Sequence, residues 1–224
     1  MENLRTDETP LLREPALVSA FAGWSDAGQA ATNALRYLVR KLPARKFAEI
    51  DPEEFYEFTT VRPLTTIVAP EQRQVHWPAN EFFYWKNSAG TRDMVLLIGV
   101  EPNLKWKTYV RTLLTLAAQC GVKTVISVGA LVDVVPHTRE PKTTGSGNTP
   151  EIRRALEDLG ATFSNYQGPT GVTSALMEAC THQGLSYGSL WGHSPHYIQS
   201  IPNPKVGHML LAKLCQLLDF SVDL

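Results

Sequence analysis

Apolar residues occur along this chain in two patterns, short unbroken runs and longer segments in which they recur every three or four positions. The run at 16–22 is typical of a buried strand, and the alanines and leucines between Ala31 and Leu42 follow at the spacing of one helix face. Such alternation predicts a three-layer α/β/α sandwich around a mixed, largely parallel central sheet. The second half continues it, with strands predicted at 94–99, 124–128, 161–164 and 185–191 and helices at 106–117, 152–159, 172–180 and 205–218.

The segment 55–86 departs from this alternation because it has no helical period. Two short runs, 65–68 and 74–77, flank a polar stretch and predict a β-hairpin added at one edge of the sheet. The aromatic run at 81–85 predicts a further strand, as does the run at 46–50.

Two polar segments are expected to lie outside the packed structure. Residues 1–15 are charged and lack an apolar stretch, which predicts a frayed N-terminal arm in front of a single domain at 16–224. The loop at 136–150 contains three prolines and a glycine-serine-glycine sequence, and we expect it to be mobile.

Composition excludes several classes of partner. The chain has 224 residues and a formal net charge of -1, so no basic field attracts it to nucleic acid. No apolar run approaches the ~20 residues that span a bilayer. Its three cysteines, Cys120, Cys180 and Cys215, are widely spaced and odd in number, which favours reduced core thiols in a cytoplasmic protein over disulfides or zinc ligands.

The turn Phe21–Gly28, with the sequence FAGWSDAG, is where the first buried strand changes abruptly into a helix. Ser25 and Asp26 are residue types that cap helices, and Trp24 between the strand and these caps is expected to pack inward. A first strand-to-helix turn is also where open α/β sheets often bind ligands.

Motifs of established catalytic chemistry are missing from the sequence. Gly23 and Gly28 have the spacing of a phosphate-binding loop, but no Lys-Ser/Thr pair follows them. The dinucleotide fingerprint, the nucleophile elbow and the zinc-protease motif are absent too. The close pair His193 and His196 is interrupted by Pro195, which disfavours shared metal binding. We therefore predict no cofactor and no metal, and favour a protein without catalytic activity.

Several polar side chains nevertheless follow predicted strands and are candidates for a common pocket. Asp26, Glu101, Asp133 and His137 are placed to meet at one sheet edge, where carboxylates and histidine can perform acid–base chemistry. The alternative is structural, with Asp26 capping a helix and Glu101 facing solvent. Likewise, His137 has the sequence context of an exposed loop residue.

The turn Gly168–Gly171 is a candidate anion site. Glycines at both ends of a turn that opens a helix can present free N–H groups to an anion. The alternative is that Thr170 caps the helix itself.

Several short motifs follow one another in order along the chain. The first are Phe21–Gly28, Trp77-Pro78 and Gly99-Val-Glu-Pro102, and later ones stand at 129–131, 136–139, 168–171, 192–197 and 202–204. Their order resembles the PAC2 family, named for proteasome assembly chaperone 2, and is most similar to its bacterial and actinobacterial branch. The likeness extends from about residue 17 to 218.

This resemblance implies a fold related to that of purine nucleoside phosphorylases, assembled as a homo-oligomer that is often a trimer. Archaeal and eukaryotic relatives are chaperones for proteasome α-subunits and dock through a C-terminal hydrophobic-Tyr-any motif. Here Asp223 stands where the tyrosine is expected, so docking by that route is not predicted. The family supplies no catalytic set to transfer.

Two functional hypotheses remain. The first is a non-catalytic assembly or interaction scaffold, with itself and a proteasome α-subunit or another protein as partners. The second is a small-molecule binder or enzyme with a phosphorylase-like pocket at the strand ends, where Arg139 and Lys142 could hold phosphate. The candidate pocket residues are Ser25, Asp26, Glu101, His137, Arg139, Gly168, Thr170, Gly171 and His193.

Overall fold

A nine-stranded sheet forms the centre of the protein in a computed structural model that describes residues 3–198 and 202–224. Within these residues the strands are β1 Leu4–Thr6, β2 Ala16–Ala22, β3 Arg45–Ile50, β4 Leu64–Ala69, β5 Gln72–His76, β6 Glu81–Trp85, β7 Met94–Val100, β8 Thr124–Asp133, β9 Thr143–Gly147, β10 Thr162–Phe163 and β11 Ser186–Pro195. The order in the large sheet is β1-β3-β6-β7-β2-β8-β11-β9-β10, while β4 and β5 form a separate sheet.

The four central strands β7, β2, β8 and β11 are parallel. The first six residues of both β2 and β7 are buried, because helices cover both faces of the sheet and leave no solvated side. Towards the edges the pairs β1–β3, β3–β6, β6–β7 and β9–β11 are antiparallel. The mixed sheet predicted from the apolar patterns is confirmed.

Helices lie on both faces of this sheet and complete three layers. Buried side chains of α1 and α5 form one apolar core with Leu156 of α3, and those of α2 and α4 form the other core on the opposite face. The expected α/β/α sandwich is therefore confirmed. The helices are α1 Ala30–Lys41, α2 Trp106–Gln119, α3 Pro150–Asp158, α4 Val172–His182 and α5 Pro204–Leu218.

Strands β8 and β11 extend further than the apolar runs predict. They pair in parallel from Thr124 and Ser186 as far as Asp133 and Pro195. Gly129 does not end β8, because its missing side chain leaves room for the Trp191 ring, which would lie 2.5 Å from a β-carbon at that position. As a consequence, His193 lies inside a strand and not after one.

The polar segment 136–150 contains a strand that sequence reasoning predicted as mobile loop. Residues Thr143–Gly147 form β9, paired with β11. Gly145 allows close approach, since a β-carbon there would lie 2.8 Å from the carbonyl oxygen of Ser189. Two of its five residues are glycines, which are depleted in strands, so this strand depends on its pairing with β11.

The N-terminal segment also differs from the frayed arm that its charge predicts. Leu4–Thr6 forms β1 at the sheet edge, with Leu4 opposite Ile50 of β3. Arg5 reinforces this edge through an ion pair with Asp51 at 2.6 Å.

The predicted hairpin exists as β4 and β5, but it does not join the edge of the large sheet. All residues of both strands are exposed. A two-stranded sheet on its own is only marginally stable in water.

Candidate functional site

The turn between β2 and α1 is shaped by two glycines with positive φ. Gly23 has φ 127° and Gly28 has φ 61°, conformations that other residues rarely adopt. The turn is closed by a hydrogen bond from the Asp26 N–H to the Gly23 carbonyl oxygen at 3.2 Å. It continues into one turn of 3₁₀ helix, Ala27–Gln29, before α1 begins.

Asp26 is buried in this turn and anchors the start of α1. Its Oδ1 accepts hydrogen bonds from the N–H groups of Ala31 at 2.8 Å and Thr32 at 3.2 Å, and its Oδ2 accepts from the Thr32 hydroxyl. Burial raises the pKa of Asp26 above its usual value, although the bonds from Thr32 and Ala31 oppose this shift. The carboxylate is thus engaged in capping, as the structural alternative predicted.

Ser25 has no capping role. It is buried, and its hydroxyl donates to the carbonyl oxygen of Phe21 at 3.3 Å, back into β2. Of the two potential caps in the turn, Asp26 alone serves α1.

Trp24 faces outward, so the expectation that it packs inward is wrong. Its side chain is 66% exposed, while the next two residues of the turn, Ser25 and Asp26, are buried. One edge of the ring rests against the backbone at Gly171, where a β-carbon would lie 3.7 Å from Trp24 Cε3. The turn directs the polar side chains to the interior and leaves the indole at the surface.

We expect Trp24→Ala to change the free energy of unfolding by no more than about 0.5 kcal/mol, because surface substitutions usually stay within that range. Trp85→Ala is the comparison, since Trp85 is 8% exposed and its loss should cost about 3–5 kcal/mol. Denaturant unfolding followed by circular dichroism measures both. Similar losses for the two variants would contradict the surface position of Trp24.

Glu101 follows β7 and meets the first turn of α4. Its Oε1 accepts a hydrogen bond from the Val172 N–H at 2.8 Å, and a β-carbon at Gly171 would lie 2.6 Å from the same oxygen. A carboxylate of the chain itself therefore occupies the helix N-terminus at which an external anion was hypothesised. The Val172 N–H is therefore not free to donate to an external anion at Gly168–Gly171.

The other residues of that turn make local contacts. The Thr170 hydroxyl contacts the Ser174 hydroxyl and does not cap α4, whose preceding residue is Gly171. Gly168 lies against Tyr166, and the hydroxyl of that tyrosine donates to the Pro169 carbonyl oxygen at 3.0 Å.

His193 links three strands of the sheet. Its Nδ1 lies 2.7 Å from Oδ2 of Asp133 on β8, and its Nε2 lies 3.0 Å from Oγ1 of Thr144 on β9. The hydrogen bond with His193 lowers the pKa of Asp133, assisted by the Val134 N–H. Sequence reasoning missed Thr144, because it assigned β9 to a loop.

His137 and Arg139 lie elsewhere, in the exposed segment between β8 and β9. The His137 Nδ1 and N–H lie 2.9 and 2.7 Å from the Tyr197 hydroxyl. Lys205 at the start of α5 donates to the carbonyl oxygens of His137 and Arg139. The nine sequence-predicted pocket residues thus fall into four groups: Ser25 and Asp26 in one turn; Glu101 with Gly168, Thr170 and Gly171 at the start of α4; His193 in the sheet; and His137 and Arg139 beside α5.

A cavity of about 390 Å³ opens beside Glu101 at the carboxyl end of β7. Sequence reasoning did not predict that Trp106 and Val61 line this cavity. Trp106 could have been found from its position, because it begins α2 only four residues after Pro102. The residues lining the cavity are Ala22, Gly23, Trp24, Val61, Val100, Glu101, Pro102, Asn103 and Trp106.

A second cavity, of about 310 Å³, lies beside α1 and β6. Arg36 and Arg40 line it one helical turn apart, together with Glu81 and Phe83. Of the nine candidate pocket residues, it contains none, whereas the cavity beside Glu101 contains one, Glu101 itself.

The described residues contain neither a thiol with a lowered pKa nor a cluster of metal-ligating side chains. Cys120, Cys180 and Cys215 are free. Burial raises the pKa of Cys120 to about 11 and of Cys180 to about 12, so both remain protonated thiols at neutral pH. Residues 3–198 and 202–224 hold no group of three or more His, Cys, Asp and Glu side chains arranged for a metal ion. None of the helices in that part of the chain has the length and apolar character of a membrane-spanning segment.

The parallel four-strand centre, the two helical layers and the glycine-framed turn before α1 define a three-layer α/β/α protein of the PAC2 type. A model of the PAC2 family matches residues 20–224, and the chain belongs to that family.

Solved structures agree with this assignment. A PAC2 family protein from Streptomyces avermitilis is 36% identical with a TM-score of 0.86, over 93% of this chain and 88% of that one. A proteasome-assembly chaperone homologue from Mycobacterium tuberculosis is 34% identical with a TM-score of 0.85, over 93% and 87%. An archaeal proteasome activator from Pyrococcus furiosus, 18% identical with a TM-score of 0.79 over 100% and 92%, shares the fold. Among curated proteins no match is found.

Proposed function

We propose that this protein is a non-catalytic assembly scaffold of the chaperone type, acting in the cytoplasm as a homo-oligomer, with a trimer as the expected state. The observation that carries the proposal is the apolar surface of the β4–β5 hairpin. Leu64, Ile67, Val68, Val75 and the adjoining Trp77 are each at least half exposed.

An exposed hairpin with this composition needs a partner for physical reasons. Ile67 and Val75 lie on the same face of the hairpin, and exposed apolar surface on a soluble protein marks interaction sites. An unsupported two-stranded sheet is also barely stable. Only Trp77 has a described aromatic neighbour, Phe58, with ring centroids 4.8 Å apart. Burial of the hairpin against a second protein would stabilise both its strands.

The names of the relatives indicate the kind of partner. The Mycobacterium protein is a proteasome-assembly chaperone homologue, which makes a proteasome α-subunit the first candidate for this chain. Asp223 is engaged within the chain, because its carbonyl oxygen accepts a hydrogen bond from Tyr37 and its carboxylate lies 3.9 Å from Lys41 Nζ. Since the hairpin carries exposed apolar side chains, we assign partner binding to the hairpin.

Native mass spectrometry with and without an added recombinant proteasome α-subunit tests the proposal. We expect wild-type homo-oligomers that take up the α-subunit, and a double variant Ile67→Lys, Val75→Lys whose association is weakened by about tenfold or more. Val134→Lys is the matched control, because Val134 is 85% exposed but lies outside the hairpin.

Circular dichroism must show that the hairpin variant keeps its fold. A wild-type monomer that takes up no α-subunit would contradict the proposal. Equal association of the double variant and the wild type would also contradict it, since the charged hairpin should not bind.

A further inference from the structure

We propose that the cavity beside Glu101 is a binding site for an organic cation, an ammonium or guanidinium group. The site goes beyond the assembly function and stands independently of it. Its parts are a cavity of about 390 Å³, one carboxylate, and two indole rings from different segments, Trp24 and Trp106.

The carboxylate of Glu101 is held in a fixed orientation. Oε1 accepts from the Val172 N–H at 2.8 Å, and Oε2 lies on the side of Gly23, 3.7 Å from where a β-carbon of that glycine would stand. Gly23 and Glu101 both line the cavity, and Glu101 is the one charged side chain among its nine lining residues. Lys105, four residues further on, pairs with Glu54 at 3.2 Å. The cavity therefore carries negative charge.

The two indoles supply the second component of cation recognition. Trp24 is 66% exposed and rests on Gly171. Trp106 is held by a hydrogen bond from its Nε1 to the Pro102 carbonyl oxygen. Indole faces attract ammonium and guanidinium groups, and the attraction grows when the cation loses water. A bound cation also explains why a large apolar ring is placed at the surface of a rigid, glycine-framed turn.

Size and charge together select the ligand class. A cavity of about 390 Å³ lies at the lower end of small-molecule sites, which suits a trimethylammonium or guanidinium group. Phosphate does not fit, because no Lys or Arg lines this cavity. The cation can be a free small molecule or the side chain of a lysine or arginine on another protein.

An NMR titration of the full chain with choline tests the site through the indole N–H signals of its five tryptophans. We expect saturable shifts of the Trp24 and Trp106 signals while the Trp77 signal, from the hairpin, stays in place. The uncharged isostere 3,3-dimethylbutan-1-ol should bind at least about fivefold more weakly, because it lacks the charge. Equal binding of the isostere, or no saturable shift with any cation, would overturn the proposal.

Variants locate the binding. Trp24→Ala and Glu101→Gln should each weaken choline binding by about fivefold or more. The amide oxygen of the Gln variant can still accept from the Val172 N–H, so the start of α4 is retained. Trp77→Ala is the matched control, as Trp77 is half exposed and outside the cavity. A loss of binding in the control as large as in the Trp24 variant would count against the site.

A parallel titration distinguishes the two sources of the cation. Blocked tripeptides with a central arginine or lysine between glycines are compared with choline, and a central glutamine is the neutral control. Tighter binding of the charged peptides assigns the site to a side chain of a protein partner. Tighter binding of choline assigns it to a free small molecule. These results do not depend on the hairpin, so failure of the assembly proposal would leave them intact.

Discussion

Replacing Asn80 with alanine is expected to lower the free energy of unfolding by about 3–5 kcal/mol, as a cavity and broken buried hydrogen bonds act together. Asn80 is fully buried. Its Oδ1 lies 2.8 Å from the Tyr109 hydroxyl and its Nδ2 lies 2.7 Å from the Tyr56 hydroxyl, which in turn donates to the Val100 carbonyl oxygen. Burial raises the pKa of Tyr109 well above 10, so that hydroxyl keeps its proton and needs an acceptor.

A double-mutant cycle with Tyr109→Phe separates the hydrogen bond from the cavity. Tyr109→Phe alone should cost about 1 kcal/mol. In the Asn80→Ala background the same change should be neutral or stabilising, because the hydroxyl there has already lost its acceptor. Chemical denaturation of the four proteins supplies the cycle. Simple additivity of the two losses would show that the two side chains do not interact.

Asp26→Ala is expected to lower the free energy of unfolding by about 2 kcal/mol, a value at the upper end for a lost helix cap. The substitution leaves two N–H groups at the start of α1, those of Ala31 and Thr32, without their acceptor. Burial of the charged carboxylate is itself unfavourable, and the substitution removes that cost. The loss of unfolding free energy should therefore be smaller than that of Asn80→Ala. Ser25→Ala is the matched control, because the Ser25 hydroxyl bonds back to Phe21 and does not cap α1.

The stabilising contribution of Asp26 should also depend on pH. Burial raises its pKa in the folded state above 3.8, so the folded chain holds the proton at a pH at which the unfolded chain releases it. The part of the stability that is linked to this proton is therefore fully present below pH 3.8 and is lost as the pH rises through the folded-state pKa, while the hydrogen bonds from Ala31 and Thr32 remain. We expect the stability of wild type relative to Asp26→Asn to fall over that window. A difference that is constant with pH would contradict the raised pKa.

The order of strands and helices could be predicted because each element carries its own signal. The buried run of β2 and the apolar face of α1 are local patterns that hold wherever the element packs. The same is true of the hairpin, whose turn residues stand between two β-prone runs. Motif order further indicated the PAC2 family, and the family model over residues 20–224 confirms that prediction.

The candidate site was predicted less well because proximity at a sheet edge depends on which strand ends meet. Asp26 and Glu101 both follow central strands, but Asp26 turns inward to α1 while Glu101 turns to α4. His193 was predicted to follow the strand at 185–191, whereas pairing of β11 with β8 and β9 extends that strand and includes His193 in the sheet. The positions of these side chains thus depend on contacts between segments that are far apart in the sequence.

The sequence by itself determined the alternation of elements, the buried central strands, the glycine-framed turn and the family, since these follow from local apolar spacing, backbone freedom at glycine and motif order. Tertiary structure decided that Thr143–Gly147 is a strand, that Trp24 faces solvent, and that Glu101 joins two tryptophans around one cavity. The physical reason is that strand pairing and side-chain burial are settled by partners far apart in the chain, whose free energies outweigh local propensity.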